Sequence, residues 1–218
     1  MSEQPPPKRQ HSCLFFGCIA GAVCLVALLL VFLLGLHLFK KAVNQYTDTA
    51  PMKMPALQLS QPEIEAVQHR FNNFSDATGK GQPTSPLELS GDEINALIDS
   101  NPDLRGAKDK LYVTIKDGRL HAQVSLPMDQ IGLSMFKGRY LNGNGSFALS
   151  LQNGNLNLSP VDIAVKGKPV PGVYLDKLRQ ENLAAGLNSN PRVSGILNRL
   201  QSIEVKDGKL VLVPKKGT

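Results

Sequence analysis

Four histidines are the side chains of this sequence best suited to acid–base work or metal binding near neutral pH: His11, His37, His69 and His121. No two of them stand at His-x-x-x-His spacing, and none is followed by a carboxylate at ligand spacing. His69 falls on the polar side of a predicted helix, and His121 alternates with Leu120 and Ala122 in a predicted strand, so both read as solvated surface side chains. Carboxylate pairs occur at Glu63/Glu65 and Asp92/Glu93. Each pair falls in the first turn of a predicted helix, where negative charge meets the positive end of the helix dipole, and capping accounts for it. Ser134 and Ser194 lie near glycines, but no Gly-x-Ser-x-Gly elbow occurs. The run Asn142-Gly-Asn-Gly145 precedes a strand rather than a helix, so it lacks the amides that cradle phosphate and reads as a loop. Lys116-Asp117-Gly118 and Lys206-Asp207-Gly208 are turns without the further oxygen ligands that calcium requires. The expectation is a protein that is not an enzyme, with no metal and no cofactor.

Composition narrows the class. The 218 residues contain no Trp, 19 Gly and 15 Pro, rich enough in turn-formers for a loop-rich globular domain. The net charge of +6 falls to +3 once residues 1–41 are set aside, because Lys8, Arg9, Lys40 and Lys41 leave with Glu3. A nucleic-acid binder concentrates far more basic charge, so no nucleic-acid partner is expected. All three cysteines, Cys13, Cys18 and Cys24, sit in one apolar segment, which leaves no disulfide, thiolate ligand or thiol nucleophile for the rest of the chain.

That segment, Cys13 to Leu36, is uncharged and long enough to span a bilayer. It exceeds the apolar core of a cleaved signal peptide, and Lys40-Lys41 rather than a small-residue cleavage site follows it. Cys18 and Cys24 come too early in the apolar run for a lipoprotein signal. An uncleaved transmembrane helix over 13–39 is expected, after a polar, Pro-rich and disordered cytoplasmic tail at 1–12. Basic residues nearly balance across it, with Lys8 and Arg9 before and Lys40, Lys41 and Lys53 after. A hydrophobic segment this near the N-terminus acts as a signal anchor, so the N-terminus is placed in the cytoplasm and the C-terminal part outside it. The expected location is a cell membrane, with one span.

Residues 40–59 read as a linker, and 60–218 as an extracytoplasmic domain. Ser60 with Glu63, and Ser90 with Glu93, have capping-box spacing. Ile64, Val67, Phe71 and Phe74 form one apolar helical stripe after the first box; Ile94, Leu97 and Ile98 follow the second. Leu87-Glu-Leu89 alternates as a short strand. Asp117-Gly118, Asn153-Gly154 and Asp207-Gly208 each sit between alternating apolar runs, and such dipeptides are strong hairpin signals because both residues of a type I′ turn need positive φ. Three hairpins and two later helices, around Val173–Leu183 and Val193–Leu200, complete the pattern. The fold class is α+β: an N-terminal transmembrane helix, then a curved antiparallel sheet packed with several helices.

The run Leu87-Glu-Leu-Ser-Gly-Asp-Glu-Ile-Asn95-Ala-Leu-Ile98, a strand followed by a capped helix with an internal Asn, resembles an element found just after the anchor in bacterial single-pass proteins of the YpmS type. The Asp-Gly hairpins and Gly167-Lys-Pro-Val-Pro171 are similar to other parts of such proteins and of tubular lipid-binding, or TULIP-like, architectures, in which a long helix lies across a strongly curved sheet. The resemblance spans roughly residues 60–214. It implies an apolar groove between helix and sheet able to take an acyl chain, lined by Ile94, Leu97 and Ile98 with Leu111, Val113 and Ile115. The function expected is therefore a membrane-anchored domain that binds a lipid or other apolar ligand. The alternative is a protein-interaction or scaffold module of a cell-envelope assembly, with an envelope protein as its partner.

Overall fold

The structure, a computed structural model, describes residues 12–104 and 106–215. The tail expected at 1–12 lies, but for Ser12, outside the described residues. Contacts divide the chain into one unit ending at Gln45 and another beginning at Tyr46.

The first unit is helix α1, Ser12–Tyr46, whose last residue already belongs to the second. At 1.5 Å per residue its 35 residues extend about 52 Å. It runs seven residues past the expected end at Phe39, through Lys40-Lys41, because nothing between Leu36 and Tyr46 is Gly or Pro and so nothing stops it. Leu28 to Leu34, Leu36, Leu38 and Phe39 present large apolar side chains to the outside. Over Leu28–Tyr46 the helix is long and apolar enough to cross a membrane.

In the second unit the helices start where their caps dictate. Helix α2, Gln61–Gly79, begins behind Ser60, whose amide donates to the Glu63 carboxylate at 2.7 Å. It spans 19 residues and buries Val67, Phe74 and Thr78. Strand β1, Leu87–Leu89, leads into helix α3, Gly91–Ser100, where Ser90 Oγ accepts from the Glu93 amide and the Glu93 carboxylate accepts from the Ser90 amide. Asn101-Pro102 ends α3, since a residue before Pro is pushed out of the helical region. Strands β2 (Leu111–Lys116), β3 (Arg119–Pro127), β4 (Tyr140–Gln152), β5 (Asn155–Val165) and β6 (Lys168–Pro169) follow. Then come helices α4 (Gly172–Gln180), α5 (Ala185–Asn188) and α6 (Pro191–Leu197), and strands β7 (Leu200–Lys206) and β8 (Lys209–Pro214).

The strands form two antiparallel sheets: a five-strand meander, β2-β3-β4-β5-β6, and a three-strand sheet, β1-β8-β7. The three hairpin turns adopt the positive φ their residues favour, 51° and 69° at Asp117-Gly118, 52° and 76° at Asn153-Gly154, and 51° and 72° at Asp207-Gly208. Lys166-Gly167 makes a fourth turn of this kind, at 53° and 71°, joining β5 to β6. β4 starts at Tyr140, so the Asn142–Gly145 run expected as a loop is strand, paired to β3 on one side and β5 on the other. The register shifts at Ser146/Phe147, next to Gly145, where an added Cβ would come within 2.6 Å of the Asp162 carbonyl oxygen. Only Gly fits that close approach of strands.

Asparagines complete the outer edges of the larger sheet. Asn95 of α3 donates to the Val113 carbonyl at 2.7 Å and accepts from the Val113 amide at 2.8 Å, which is the bonding a neighbouring strand would supply. Gly91, one turn earlier, lets the helix approach the same strand closely, since an added Cβ would come within 3.2 Å of the Val113 carbonyl oxygen. On β5, Asn188 bonds the Leu156 amide and carbonyl at 3.0 and 2.9 Å, and Asn182 bonds the Leu156 carbonyl and the Leu158 amide. An edge strand with satisfied amides offers no template for pairing with another chain. The core lies between the two sheets and their helices: Val67, Phe74, Leu87, Leu89, Leu97, Leu197, Leu200 and Ile203 are buried there, with Leu149, Leu151 and Leu156 packed against them.

Candidate functional site

The register of the meander sorts its side chains by face. Leu111, Val113 and Ile115 of β2 stand opposite Val124, Ala122 and Leu120 of β3. Those in turn face Gly143, Gly145 and Phe147 of β4, with Leu126 opposite Leu141, and Gly143 and Gly145 face Val165 and Ile163 of β5. All of these share one face, because residues directly opposite across a ladder point the same way. The other face is polar, carrying Thr114, His121, Gln123, Ser125, Asn142, Asn144, Ser146 and Asp162.

The apolar face divides along its length. At one end Leu149, Leu151 and Leu156 pack into the core. At the other, Leu111, Val113, Ile115, Leu120, Ala122, Val124, Leu141, Phe147 and Ile163 remain half-buried. In the middle of this half the paired Ala122 and Gly145, with Gly143 beside them, raise little or no side chain above the sheet. A Cβ on Gly143 would lie 3.6 and 3.8 Å from methyls of Val124 and Val165, so neighbouring side chains lean over it. The small residues at 122, 143 and 145, with Val113, Ile115 and Ile163 around them, make up the candidate trough of this face.

The six groove residues expected from sequence fall in two places. Leu97 is in the core, Ile94 packs against it, and Ile98 is buried. Leu111, Val113 and Ile115 lie half-buried on the apolar sheet face. Ala122, Gly143, Gly145, Phe147 and Ile163, which share that face, were not expected. The period-two spacing of Leu141, Gly143, Gly145 and Phe147 would have shown the β4 members of this set, had the run not read as a loop.

The polar face aligns His121, Ser146 and Asp162 in one cross-strand row. These are the residue types of a nucleophilic triad, in the wrong order: Ser146 is in the middle and donates its hydroxyl to Asp162. His121 Nε2 is buried without a hydrogen-bond partner, and Ser146 is 1% exposed, out of reach of a substrate. His69 is exposed and bonded to Asn73. Among the described residues no three His, Cys, Asp or Glu side chains gather where they could hold a metal. An open recess of about 380 Å³ lies beside Arg70, Asn73, Phe74 and Glu88, with Arg70 already paired to Glu93.

A second polar cluster holds the chain that follows α1. Asp48 pairs with Tyr140 through two backbone hydrogen bonds of 2.8 Å, which extends the sheet by one bridge. Its carboxylate meets Lys166 Nζ at 3.0 Å and Asn142 Nδ2 at 3.1 Å. The Lys166 hydrogen bond, ahead of the cost of burial, holds the Asp48 carboxyl below its ordinary value. Arg139 donates to the Thr47 hydroxyl and carbonyl, and the Met52 amide donates to Ser125 Oγ and Asn142 Oδ1. Residues 47–52 are thereby bound to the start of β4 and the end of β3. No protein-family model, curated protein or solved structure matches this chain.

Proposed function

We propose that this chain is a single-pass membrane protein, anchored by α1 with its N-terminus in the cytoplasm, whose outer unit binds a lipid acyl chain or similar apolar ligand without enzymatic chemistry. The half-buried apolar face of β2–β5 carries this reading. Large apolar side chains arranged contiguously and left partly in water mark a binding surface in a soluble unit. Ala122, Gly143 and Gly145 raise little side chain of their own between the larger apolar residues of this face. Burying about eight methylenes there is worth roughly 6 kcal/mol before the entropy of association, enough for reversible binding. The YpmS-type and TULIP-like resemblance points the same way.

Native mass spectrometry of the fragment from Tyr46 to Thr218, purified without detergent and then offered phospholipid, tests it. A solvent-extractable adduct of lipid mass, lost in Ala122→Met, is the expected result. An apo mass that takes up no phospholipid refutes it.

A second reading, docking of an envelope protein, rests on α4. Val173, Tyr174 and Leu178 are exposed along that helix, with Leu183 and Leu187 exposed just after it. Val173→Asp with Leu178→Asp would then abolish co-purification of a partner while leaving lipid uptake unchanged.

A further inference from the structure

We infer that the β3–β4 connection, residues 128–139, is a second membrane contact that seats its apolar side chains in the headgroup layer of an anionic bilayer. The inference rests on the reading of α1 as a membrane anchor. The loop displays apolar side chains where a soluble loop would carry polar ones: Ile131 and Leu133 are 49% and 51% exposed, and Leu126, near the end of β3 before it, is 44% exposed. Met128, Met135 and Phe136 are half-buried beside them. Two short 3-10 turns, Asp129–Ile131 and Ser134–Phe136, give the loop its own compact shape.

The loop is bonded to the residues that directly follow α1 in the chain. Asp48, two residues after α1 ends, is hydrogen-bonded to Tyr140, the residue after the loop, and Thr47 is bonded to Arg139. From Lys41 to Tyr46 the helix rises only about 7.5 Å. Only a short length of chain therefore separates the loop from a membrane that holds the apolar part of α1. The charge at this end of the sheet suits anionic lipid: Lys137, Arg139, Lys166 and Lys168 stand against Asp48 and Asp129. Tyr46 and Tyr140 supply the amphipathic rings that favour a membrane interface. Leu126 and Leu141 end the apolar trough beside this loop, so a lipid held in the trough would have its open end at the bilayer.

The full chain, with Cys13, Cys18 and Cys24 changed to Ala, is labelled at a single cysteine with a small fluorophore. It is reconstituted in phosphatidylcholine–phosphatidylglycerol vesicles with and without shallow spin-labelled lipid. Three positions are compared: Leu133→Cys in the loop, Lys116→Cys at the opposite end of the sheet, and Leu30→Cys in α1 with a deep spin label. Emission at Leu133→Cys should fall by roughly half, as for a side chain in the interface, and Lys116→Cys should not change. Ile131→Cys should repeat the Leu133 result, which guards against one variant that fails to fold. Quenching at Leu30 without quenching at Leu133 or Ile131 overturns the inference and leaves the anchor standing. No quenching at Leu30 overturns the anchor reading, and this inference with it.

Discussion

Replacing Asn95 by Ala should uncouple α3 from the sheet. The side chain is 4% exposed and bonds both polar groups of Val113, at 2.7 and 2.8 Å. Each hydrogen bond is worth about 1 kcal/mol net, and stranding the partly buried Val113 amide and carbonyl adds to that, so the loss should be about 2–4 kcal/mol. For a unit of this size that lowers the melting temperature by roughly 5–15 °C. Urea unfolding of the unit from Tyr46 gives the number, since the change in midpoint at constant slope reports stability directly. Asn95→Asp sharpens the test. At neutral pH its carboxylate would accept from the Val113 amide but face the Val113 carbonyl, so the variant should be at least as unstable as Ala. Burial and that carbonyl raise the new acid's pKa above its unfolded value. The protonated form, which can donate as Asn does, should therefore recover stability as pH falls. A loss below about 0.5 kcal/mol for Ala, or no pH dependence for Asp, would refute the view that Asn95 acts as a missing strand.

Gly145→Ala should cost about 1–3 kcal/mol, because its Cβ would meet the Asp162 carbonyl oxygen at 2.6 Å, whereas Gly172→Ala meets nothing within 4 Å and should be near neutral; urea midpoints distinguish them. Asp48 has its folded pKa depressed below 3.8, chiefly by the Lys166 hydrogen bond, so its contribution is present above the unfolded value and lost as pH falls through the folded one. The stability gap between the parent unit and Asp48→Asn should accordingly be full above the ordinary carboxylate range and shrink as acid protonates Asp48, and a gap unchanged by acid would refute the pairing. Ala122→Met should fill the trough, cutting lipid uptake at least about tenfold for a loss of some 1.4 kcal/mol of binding with little change in the urea midpoint. Equal uptake by this variant would place the ligand elsewhere.

Local chemistry was legible and long-range pairing was not. Ser60/Glu63 and Ser90/Glu93 revealed two helix starts, and Asp117-Gly118, Asn153-Gly154 and Asp207-Gly208 revealed three turns, because each signal is complete within four residues. Lys166-Gly167 takes the same φ values but Lys is not a residue that favours them, so only the pairing of β6 exposes that turn. The split into two sheets depends on β1 meeting β8 across more than a hundred residues, Leu87 opposite Leu212, which no periodicity encodes. Asn95 stood out as a residue, but its partner is backbone, and backbone leaves no mark in a sequence.

The start of β4 is the informative case. Asn142-Gly-Asn-Gly145 has the poorest strand propensity in the sheet, and it is strand only because β3 and β5 pair with it on both sides. The glycines that hid the strand also flatten the apolar face into a trough, and a bulkier residue at 145 would not fit against Asp162. Local preference and global fold disagree at this point, and such disagreement tends to fall where a chain does its work. On that ground the trough has a stronger claim than α3's apolar stripe: Leu97 agrees with the fold at every level and is simply core.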